Sequence, residues 1–249
     1  QLPGTGGDQA TIKLTLRLAH QGPDALGVAL AQRSEGFGDD PLVDRAEVLL
    51  HSPLNLVFGN PAEISSYLVP SPAIRLITFT GSVPIGKHLA SMAGQHMKPA
   101  IMELGGHGPV IVCGDVDPVT TAALSVTAKS RNAGQVCVAP TRFFVQESSF
   151  ETFAQAFAEG ASRLRVGNGL DPSTQLGPLA NPRRIEAMER LVSDAAARGA
   201  RVLAGGQRIG NRGYFYPLTV LAGVPDSALA MNEEPFGPLA LVNPVRDLD

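Results

Sequence analysis

The sequence has no tryptophan, only two cysteines and few aromatic residues, which make up 5% of its 249 positions. Two cysteines cannot form the disulfide framework of a small secreted protein and are typical of a reducing compartment. Its 20 lysines and arginines are outnumbered by 23 aspartates and glutamates. A nucleic-acid-binding surface needs excess positive charge and aromatic stacking platforms, so we expect no nucleic-acid partner.

Long hydrophobic runs are absent as well. No stretch approaches the roughly 20 apolar residues of a membrane-spanning helix, and no charged segment precedes an apolar core in the manner of a signal peptide. We therefore expect no membrane partner and a cytoplasmic location. The five histidines have no ligand spacing on one face, so no metal site is predicted. With 44% hydrophobic residues, the chain can form one large or two small domains with real cores.

The segment from Leu54 to Leu104 alternates short apolar runs with helical patterns. Asn60-Pro61 predicts a helix N-cap followed by a proline in the first turn. Two further runs, Ile74 to Thr80 and Pro99 to Leu104, are typical of buried strands. Strands and helices that alternate with short connections predict a parallel, doubly wound sheet. The apolar face of the helix between these strands is formed by Ile85, Leu89 and Met92.

Gly105-Gly106 indicates a hinge into a second lobe. Ser148-Ser149-Phe150-Glu151 is a capping box that predicts a helix with Phe153 and Phe157 on its inner face. Asn181-Pro182 predicts the start of another helix, with an apolar face formed by Ile185, Met188, Leu191, Val192 and Ala195. The other predicted elements are a helix from Pro118 to about Arg131 and strands at Val110 to Cys113, Arg142 to Val145, Arg201 to Ala204 and Leu239 to Val242.

Cys137 lies in a glycine-containing loop 137 − 103 = 34 positions after Glu103, which ends a predicted strand. A thiol and a carboxylate that can act as a base indicate covalent thiol chemistry, although a single cysteine is more often an inert small hydrophobe. The residues around Cys137 and Glu103 favour covalent chemistry over an inert cysteine. Four blocks carry the pattern: Phe79-Thr80-Gly81-Ser82-Val83-Pro84-Ile85-Gly86, Glu103-Leu104-Gly105-Gly106, Gly134-Gln135-Val136-Cys137 and Asn232-Glu233-Glu234-Pro235-Phe236-Gly237-Pro238.

In their order and spacing, these blocks resemble the signatures of the NAD(P)-dependent aldehyde dehydrogenase superfamily, over roughly Asn55 to Asp249. The sequence that flanks these blocks is similar to that of bacterial succinate-semialdehyde dehydrogenase-like members. The resemblance implies an α/β fold truncated at both ends: a partial dinucleotide-binding domain with a doubly wound parallel sheet over 46–104, and a partial catalytic domain over 105–249. Residues 1–45 match nothing in the family, which leaves a divergent arm and non-native sequence both open. The parent protein is expected to be a homo-oligomer.

The resemblance also assigns the chemistry. Cys137 would be the nucleophile that forms a thiohemiacetal and then a thioester, and Glu103 would be the general base that activates water. Glu234 would bind the nicotinamide ribose and Phe236 would pack near the nicotinamide. The remaining cofactor-binding residues are Gly81 and Ser82 at the phosphate or nicotinamide side, Gly86 at the helix packing contact, and Leu104.

The family's oxyanion-hole asparagine, and the lysine and acidic groups that hold the adenosine ribose, have no match in residues 1–45. The resemblance implies NAD as the cofactor, and because the ribose-binding groups have no match here, NADP is left open. The predicted function is oxidation of a small-molecule aldehyde, with succinate semialdehyde as one candidate, to the carboxylate. The alternative is an inactive truncated remnant that acts at most as a nucleotide-binding or oligomerisation module.

Five other residues are further candidates for the site. Cys113 lies inside an apolar strand and is interpreted as core packing, and His107 is interpreted as a supporting or surface residue. Three cations close to the cysteine in sequence either attract an acidic substrate or have structural or solvated roles, and both readings stay open; they are Lys129, Arg131 and Arg142.

Overall fold

The computed structural model describes residues 57–247 and the two-residue strand Thr15–Leu16, which is β1. Apart from that strand, the interpretation of residues 1–45 as unassigned lies outside the described residues, as does the start of the 46–104 region. The helices are α1 Pro61–Leu68, α2 Val83–Gln95, α3 Pro118–Ser130, α4 Glu147–Ser162, α5 Pro182–Ala197 and α6 Leu229–Asn232. The further strands are β2 Ile77–Gly81, β3 Ala100–Leu104, β4 Gly108–Val112, β5 Pro140–Gln146, β6 Arg201–Ala204, β7 Thr219–Ala222 and β8 Leu239–Val245.

The chain divides into two compact units, Gln1–Gly105 and Gly106–Asp249. In the first unit the strand order is β1-β2-β3, with β2 parallel to β3 and β1 antiparallel to β2. Helix α2 connects the two parallel strands, as expected for a βαβ crossover. The buried core of this unit consists of Leu68, Val69, Ile74, Ile77, Phe79, Leu89 and Ala93.

Two expectations for the first unit were wrong. β3 is not a buried strand, since Ala100, Ile101 and Glu103 are exposed. Among the described strands β3 pairs only with β2, so it forms an edge of this sheet and receives little cover. Ile85 of α2 is also exposed, and the buried face of the helix is formed by Gly86, Leu89 and Ala93.

The second unit contains a five-stranded sheet with the order β4-β5-β8-β7-β6. All neighbours are parallel except β6 and β7, which form an antiparallel edge pair. The core contains three mutually packed rings, with centroid distances of 5.0 Å for Phe143 to Phe157, 5.7 Å for Phe153 to Phe157 and 6.1 Å for Phe143 to Phe153. The predicted inner face of α4 is confirmed, since Phe153 and Phe157 are fully buried.

Side-chain caps explain where several helices begin. The Asn60 side chain accepts a hydrogen bond from the amide of Ala62, and Asn181 accepts one from Arg184, so both predicted caps are confirmed. The predicted capping box was wrong: α4 begins at Glu147, directly after β5, and its N-cap Gln146 makes no side-chain cap. The interpretation of Cys113 as a core residue was also wrong, because β4 ends at Val112 and Cys113 is half-buried beyond it.

These elements confirm the predicted α/β class with a parallel sheet. Sequence patterns found most elements of both units to within a few residues, but they missed β7 and α6. Within the described part of the chain, no helix has both the length and the apolar character required to cross a membrane.

Candidate active site

In the first unit, the predicted site residues collect at the carboxyl ends of two parallel strands. Gly81 at the end of β2 pairs with Leu104 at the end of β3, and Thr80 pairs with Glu103. The amide of Gly105 donates to the carbonyl of Gly81 at 3.3 Å, which keeps the two strand ends together. Ligands of open parallel sheets bind at this edge. Glu103 is exposed here, so its carboxylate is accessible to solvent.

Ser82 is the N-cap of α2, yet its hydroxyl makes no capping bond to the first turn of that helix. The first amides of a helix have no intrahelical acceptor, and together with the helix dipole they attract an anion. A side chain at Gly86 would overlap the side chain of Leu104, so glycine lets α2 pack closely on β3. The Ser82 hydroxyl, which makes no capping bond, and the amides of Val83 and Ile85 form a donor set at a strand end that fits the phosphates of a dinucleotide.

In the second unit, the segments that precede β4, β5 and β8 meet at the end of the sheet where these strands begin. The β5 register places Pro140 beside Gly108 of β4 and Arg142 beside Leu241 of β8. Since these strands are parallel, the segments that precede them lie at the same edge of the sheet. The structure therefore brings the loop of Cys137 close to the turn that contains Glu234.

The loop that leads to Cys137 contains left-handed residues and is held by side-chain hydrogen bonds to its backbone. Asn132 and Ala133 adopt left-handed conformations with φ of 48° and 53°, in a 3-10 turn over 131–134. The Gln135 side chain donates to the carbonyl of Asn132 at 3.1 Å, while the Asn132 side chain donates to the carbonyl of Gln135 at 3.1 Å. The Gln135 carbonyl oxygen Oε1 also accepts from the amide of Ala180 at 2.9 Å. Left-handed non-glycine residues persist only where surrounding contacts hold them.

Cys137 itself is an exposed free thiol, as the sequence predicted for a loop position. It lies in a turn closed by a 2.9 Å hydrogen bond from the amide of Ala139 to the carbonyl of Val136. Cys113, the other cysteine, is also free but half-buried. The structure thus presents one thiol to solvent from a fixed loop, which is the setting that a nucleophile requires.

The turn that carries Glu234 and Phe236 is supported by α5 and by the cysteine loop. The Arg184 guanidinium donates to the carbonyl of Pro235 at 3.5 Å, and Phe236 is left-handed with φ of 37°. A side chain at Gly237 would contact the sulfur of Met188, and one at Gly134 would overlap the carbonyl oxygen of Gly237. The Glu234 turn and the cysteine loop therefore pack backbone against backbone.

Lys129, in the last turn of α3, is fully buried beside these loops. Burial lowers its pKa from 10.5 to about 7, and the attraction of Glu234 opposes that shift. The Lys129 ammonium has no hydrogen-bond partner among the described residues. No pattern in the sequence indicates this burial, since a lysine near a helix C-terminus usually extends into solvent.

The other residues near the cysteine separate into structural and exposed groups. The His107 ring contacts the Thr141 hydroxyl and the carbonyl of Ala230 at 2.8 Å, and burial lowers the His107 pKa. Arg142 donates to the carbonyl of His107 through Nε at 3.1 Å and Nη2 at 2.7 Å, so it has a structural partner. Arg131 is exposed, six positions before Cys137.

Comparison with known proteins shows the family to which the chain belongs. Residues 51–249 match the model of the aldehyde dehydrogenase family. The chain is 48% identical over 196 residues to the putative 4-(hydroxymethyl)benzenesulfonate dehydrogenase TsaD2 of Comamonas testosteroni, covering 79% of this chain and 41% of that protein. It is 41% identical over 193 residues to a mitochondrial succinate-semialdehyde dehydrogenase of Oryza sativa subsp. japonica, covering 78% and 37% of the two chains.

A crystal structure of succinate-semialdehyde dehydrogenase from Burkholderia pseudomallei matches with a TM-score of 0.76 and 36% identity, over 78% of this chain and 40% of that one. The chain belongs to the aldehyde dehydrogenase family. The predicted family and fold are thereby confirmed, and the cofactor class of this family is NAD or NADP. The chain spans about two-fifths of the length of these relatives.

Proposed function

We propose that the protein to which this chain belongs oxidises an aldehyde that bears an acidic group to the corresponding carboxylate, with Cys137 as nucleophile and NAD(P) as hydride acceptor. The observation that carries the proposal is an exposed thiol in a fixed loop that packs against the turn of Glu234 and Phe236. Family membership supports aldehyde oxidation in general. The roles of individual residues and the acidic substrate are our inference.

The Cys137 thiolate adds to the aldehyde carbon and forms a C–S bond, which converts the carbonyl into a thiohemiacetal oxyanion. Collapse of this oxyanion re-forms the carbonyl, expels hydride from the same carbon and leaves a thioester on Cys137. Bound NAD or NADP supplies the acceptor for that hydride. Backbone amides of the fixed cysteine loop are suited to stabilise the oxyanion, because they need no reorganisation when charge develops.

Hydrolysis of the thioester requires an activated water molecule. Glu103 is the proposed base, since its carboxylate is exposed at the end of β3, the edge at which ligands of parallel sheets bind. The base removes one proton from water as the oxygen attacks the thioester carbon. Cleavage of the C–S bond then releases the carboxylic acid and returns the Cys137 sulfur as thiolate.

Cofactor contacts are proposed for each unit separately. In the first, Ser82 and the amide groups that open α2 would bind phosphate oxygens, Gly81 would allow close approach, and Gly86 and Leu104 would keep the helix against the strand. In the second, Glu234 would accept hydrogen bonds from ribose hydroxyls. Phe236, 37% exposed, would offer an apolar surface to the nicotinamide.

The proposal of an acidic substrate rests on the position of Arg131 and on the compounds for which the two relatives are named. One relative is named for a sulfonate and the other for the semialdehyde of succinate, so both names denote an anionic group. Arg131 is exposed at the start of the loop that presents Cys137, and α3 and the 3-10 turn fix its backbone. A guanidinium binds a carboxylate or sulfonate in a bidentate manner, which would orient the aldehyde end toward the thiol.

The test is NADH or NADPH formation by the purified chain with succinate semialdehyde, a sulfonated aldehyde and uncharged aldehydes of similar size. We expect oxidation of the anionic substrates, abolished in Cys137→Ser and retained in Cys113→Ser. Alkylation with iodoacetamide provides a second readout that requires no turnover, because the exposed Cys137 should react faster than Cys113. Activity that persists in Cys137→Ser, or reaction of both thiols at one slow rate, would contradict the assignment.

A further inference from the structure

The buried Lys129 has no role in the proposed reaction, and its burial costs free energy. An ammonium removed from water without hydrogen bonds is strongly destabilised relative to the neutral amine. Lys129 is fully buried and its nitrogen has no partner among the described residues. A methionine or leucine would fill a similar volume without this cost, so the charge itself requires an explanation.

The surroundings of Lys129 connect it to both loops of the second unit. Its Cε atom lies 3.2 Å from the position that a Cβ on Gly134 would occupy, so the lysine stem packs beneath the cysteine loop. The carboxylate of Glu234 attracts its ammonium. Gly134 in turn contacts the carbonyl of Gly237, three residues after Glu234.

Among the described residues, the other charged groups that act on this pair or on its neighbours are mostly positive. His107 and Arg142 lie on the β4 and β5 side, and the charge of Lys129 acts on His107. From α5, Arg184 is attracted to Glu234 and donates to the carbonyl of the next residue, Pro235. Glu233 pairs instead with Arg190, in a bond from Nη1 at 3.1 Å. Glu234 is thus the carboxylate that both Lys129 and Arg184 attract.

We propose that Lys129 is a positioning residue: its buried ammonium attracts the Glu234 carboxylate and so fixes the Glu234 turn against the loop that presents Cys137. The inference rests on the proposed function insofar as Glu234 contacts the cofactor. Lys129 itself touches neither substrate nor cofactor in this proposal. When Lys129 loses its proton, this attraction is lost, whereas the contact with Arg184, the Arg190–Glu233 pair and the backbone packing remain.

A double-mutant cycle on the purified chain tests the charge pair directly. The variants are Lys129→Met, Glu234→Gln and the double substitution, with thermal unfolding measured at about pH 6 and about pH 9. At the lower pH we expect the shift in Tm of the double variant to differ from the sum of the single shifts by several degrees. At the higher pH, where Lys129 is neutral, the shifts should add. Additivity at both pH values would overturn the proposal.

The second readout is the rate at which iodoacetamide alkylates Cys137, measured without cofactor and relative to Cys113. We expect Lys129→Met and Glu234→Gln each to raise this ratio severalfold at about pH 6, with no further rise in the double variant. An unchanged ratio would overturn the positioning role even if the two charges are coupled. If Lys129→Met does not fold, Glu234→Gln decides the question, because it should raise the ratio at the lower pH and leave it unchanged at the higher one.

Addition of NAD separates this proposal from the proposed function. If NAD slows the alkylation of Cys137 in the wild-type chain, we expect Lys129→Met and Glu234→Gln to require a severalfold higher NAD concentration for the same protection. If NAD does not change the alkylation rate of Cys137 in the wild-type chain, the proposal that this chain binds the cofactor is contradicted. The unfolding cycle and the alkylation ratio still decide the role of Lys129 in that case.

Discussion

Gly134 and Gly237 pack so closely that a Cβ atom on Gly134 would overlap the carbonyl oxygen of Gly237. Gly134 lies three residues before the candidate nucleophile, and Gly237 lies three residues after Glu234. Gly134 also has φ of 69°, a left-handed conformation that favours glycine. This one contact links the thiol loop to the proposed ribose-binding turn, so it sets the geometry of the candidate site within the second unit.

Gly134→Ala should destabilise the chain, because alanine adds left-handed strain of about 1–2 kcal/mol and also a steric overlap costing about 1–3 kcal/mol. We expect a lower free energy of unfolding in urea and a faster, less selective alkylation of Cys137. Gly169→Ala is the matched control, since nothing lies within 4 Å of its Cβ position. Equal stabilities for the two variants would show that the contact with Gly237 is not tight in solution.

Lys129→Met should change how stability depends on pH. The folded pKa of Lys129, about 7, lies below its ordinary value of 10.5, so between these values the unfolded chain binds more protons than the folded chain. The free energy of unfolding must therefore rise as pH increases from about 7 toward 10.5, by up to about 1.4 kcal/mol for each pH unit.

Lys129→Met lacks this titration. The variant should be more stable than the wild-type chain at about pH 6, and the difference should shrink by about pH 10. Urea unfolding at several pH values measures it. A constant difference across that range would mean that Lys129 has an ordinary pKa in the folded chain.

Arg131→Gln should alter substrate preference rather than general activity. Loss of a charge-assisted hydrogen bond of about 1.5–3 kcal/mol predicts roughly a tenfold to hundredfold fall in kcat/KM for anionic aldehydes. Uncharged aldehydes should be oxidised at an unchanged rate. Arg163→Gln is the control, because Arg163 is a solvent-exposed arginine directly after α4 that pairs with Glu159 of that helix. Equal losses for both aldehyde classes would assign Arg131 a structural role.

Phe157→Ala should remove a central part of the second core. Phe157 is fully buried and forms edge-on contacts with Phe143 and Phe153. Truncation of a buried phenylalanine typically costs about 3–5 kcal/mol. Phe58→Ala, at a side chain that is 68% exposed, should have little effect on the urea midpoint. A small effect of Phe157→Ala would indicate that the three rings are not packed in the folded chain.

Much of the fold was predictable because the local signals are strong. Asn60-Pro61 and Asn181-Pro182 begin helices, as the side-chain caps require, and the five residues of the apolar face of α5 are all buried. Other features depended on neighbours distant in the sequence. Ile85 and β3 are exposed because the described chain places no element over them, and this cannot be read from an apolar run.

The sequence by itself determined the α/β class, the family blocks and the identity of Cys137, Glu103 and Glu234 as candidates, because these depend on residue type and spacing along the chain. Only the tertiary structure decided the environment of each group. In the folded chain Cys137 is exposed, Arg142 donates to the carbonyl of His107, and Lys129 is buried where the Glu234 carboxylate attracts it. The physical reason is that burial and electrostatic attraction depend on which segments meet in space, and strands β4, β5 and β8 bring together loops that lie far apart in sequence.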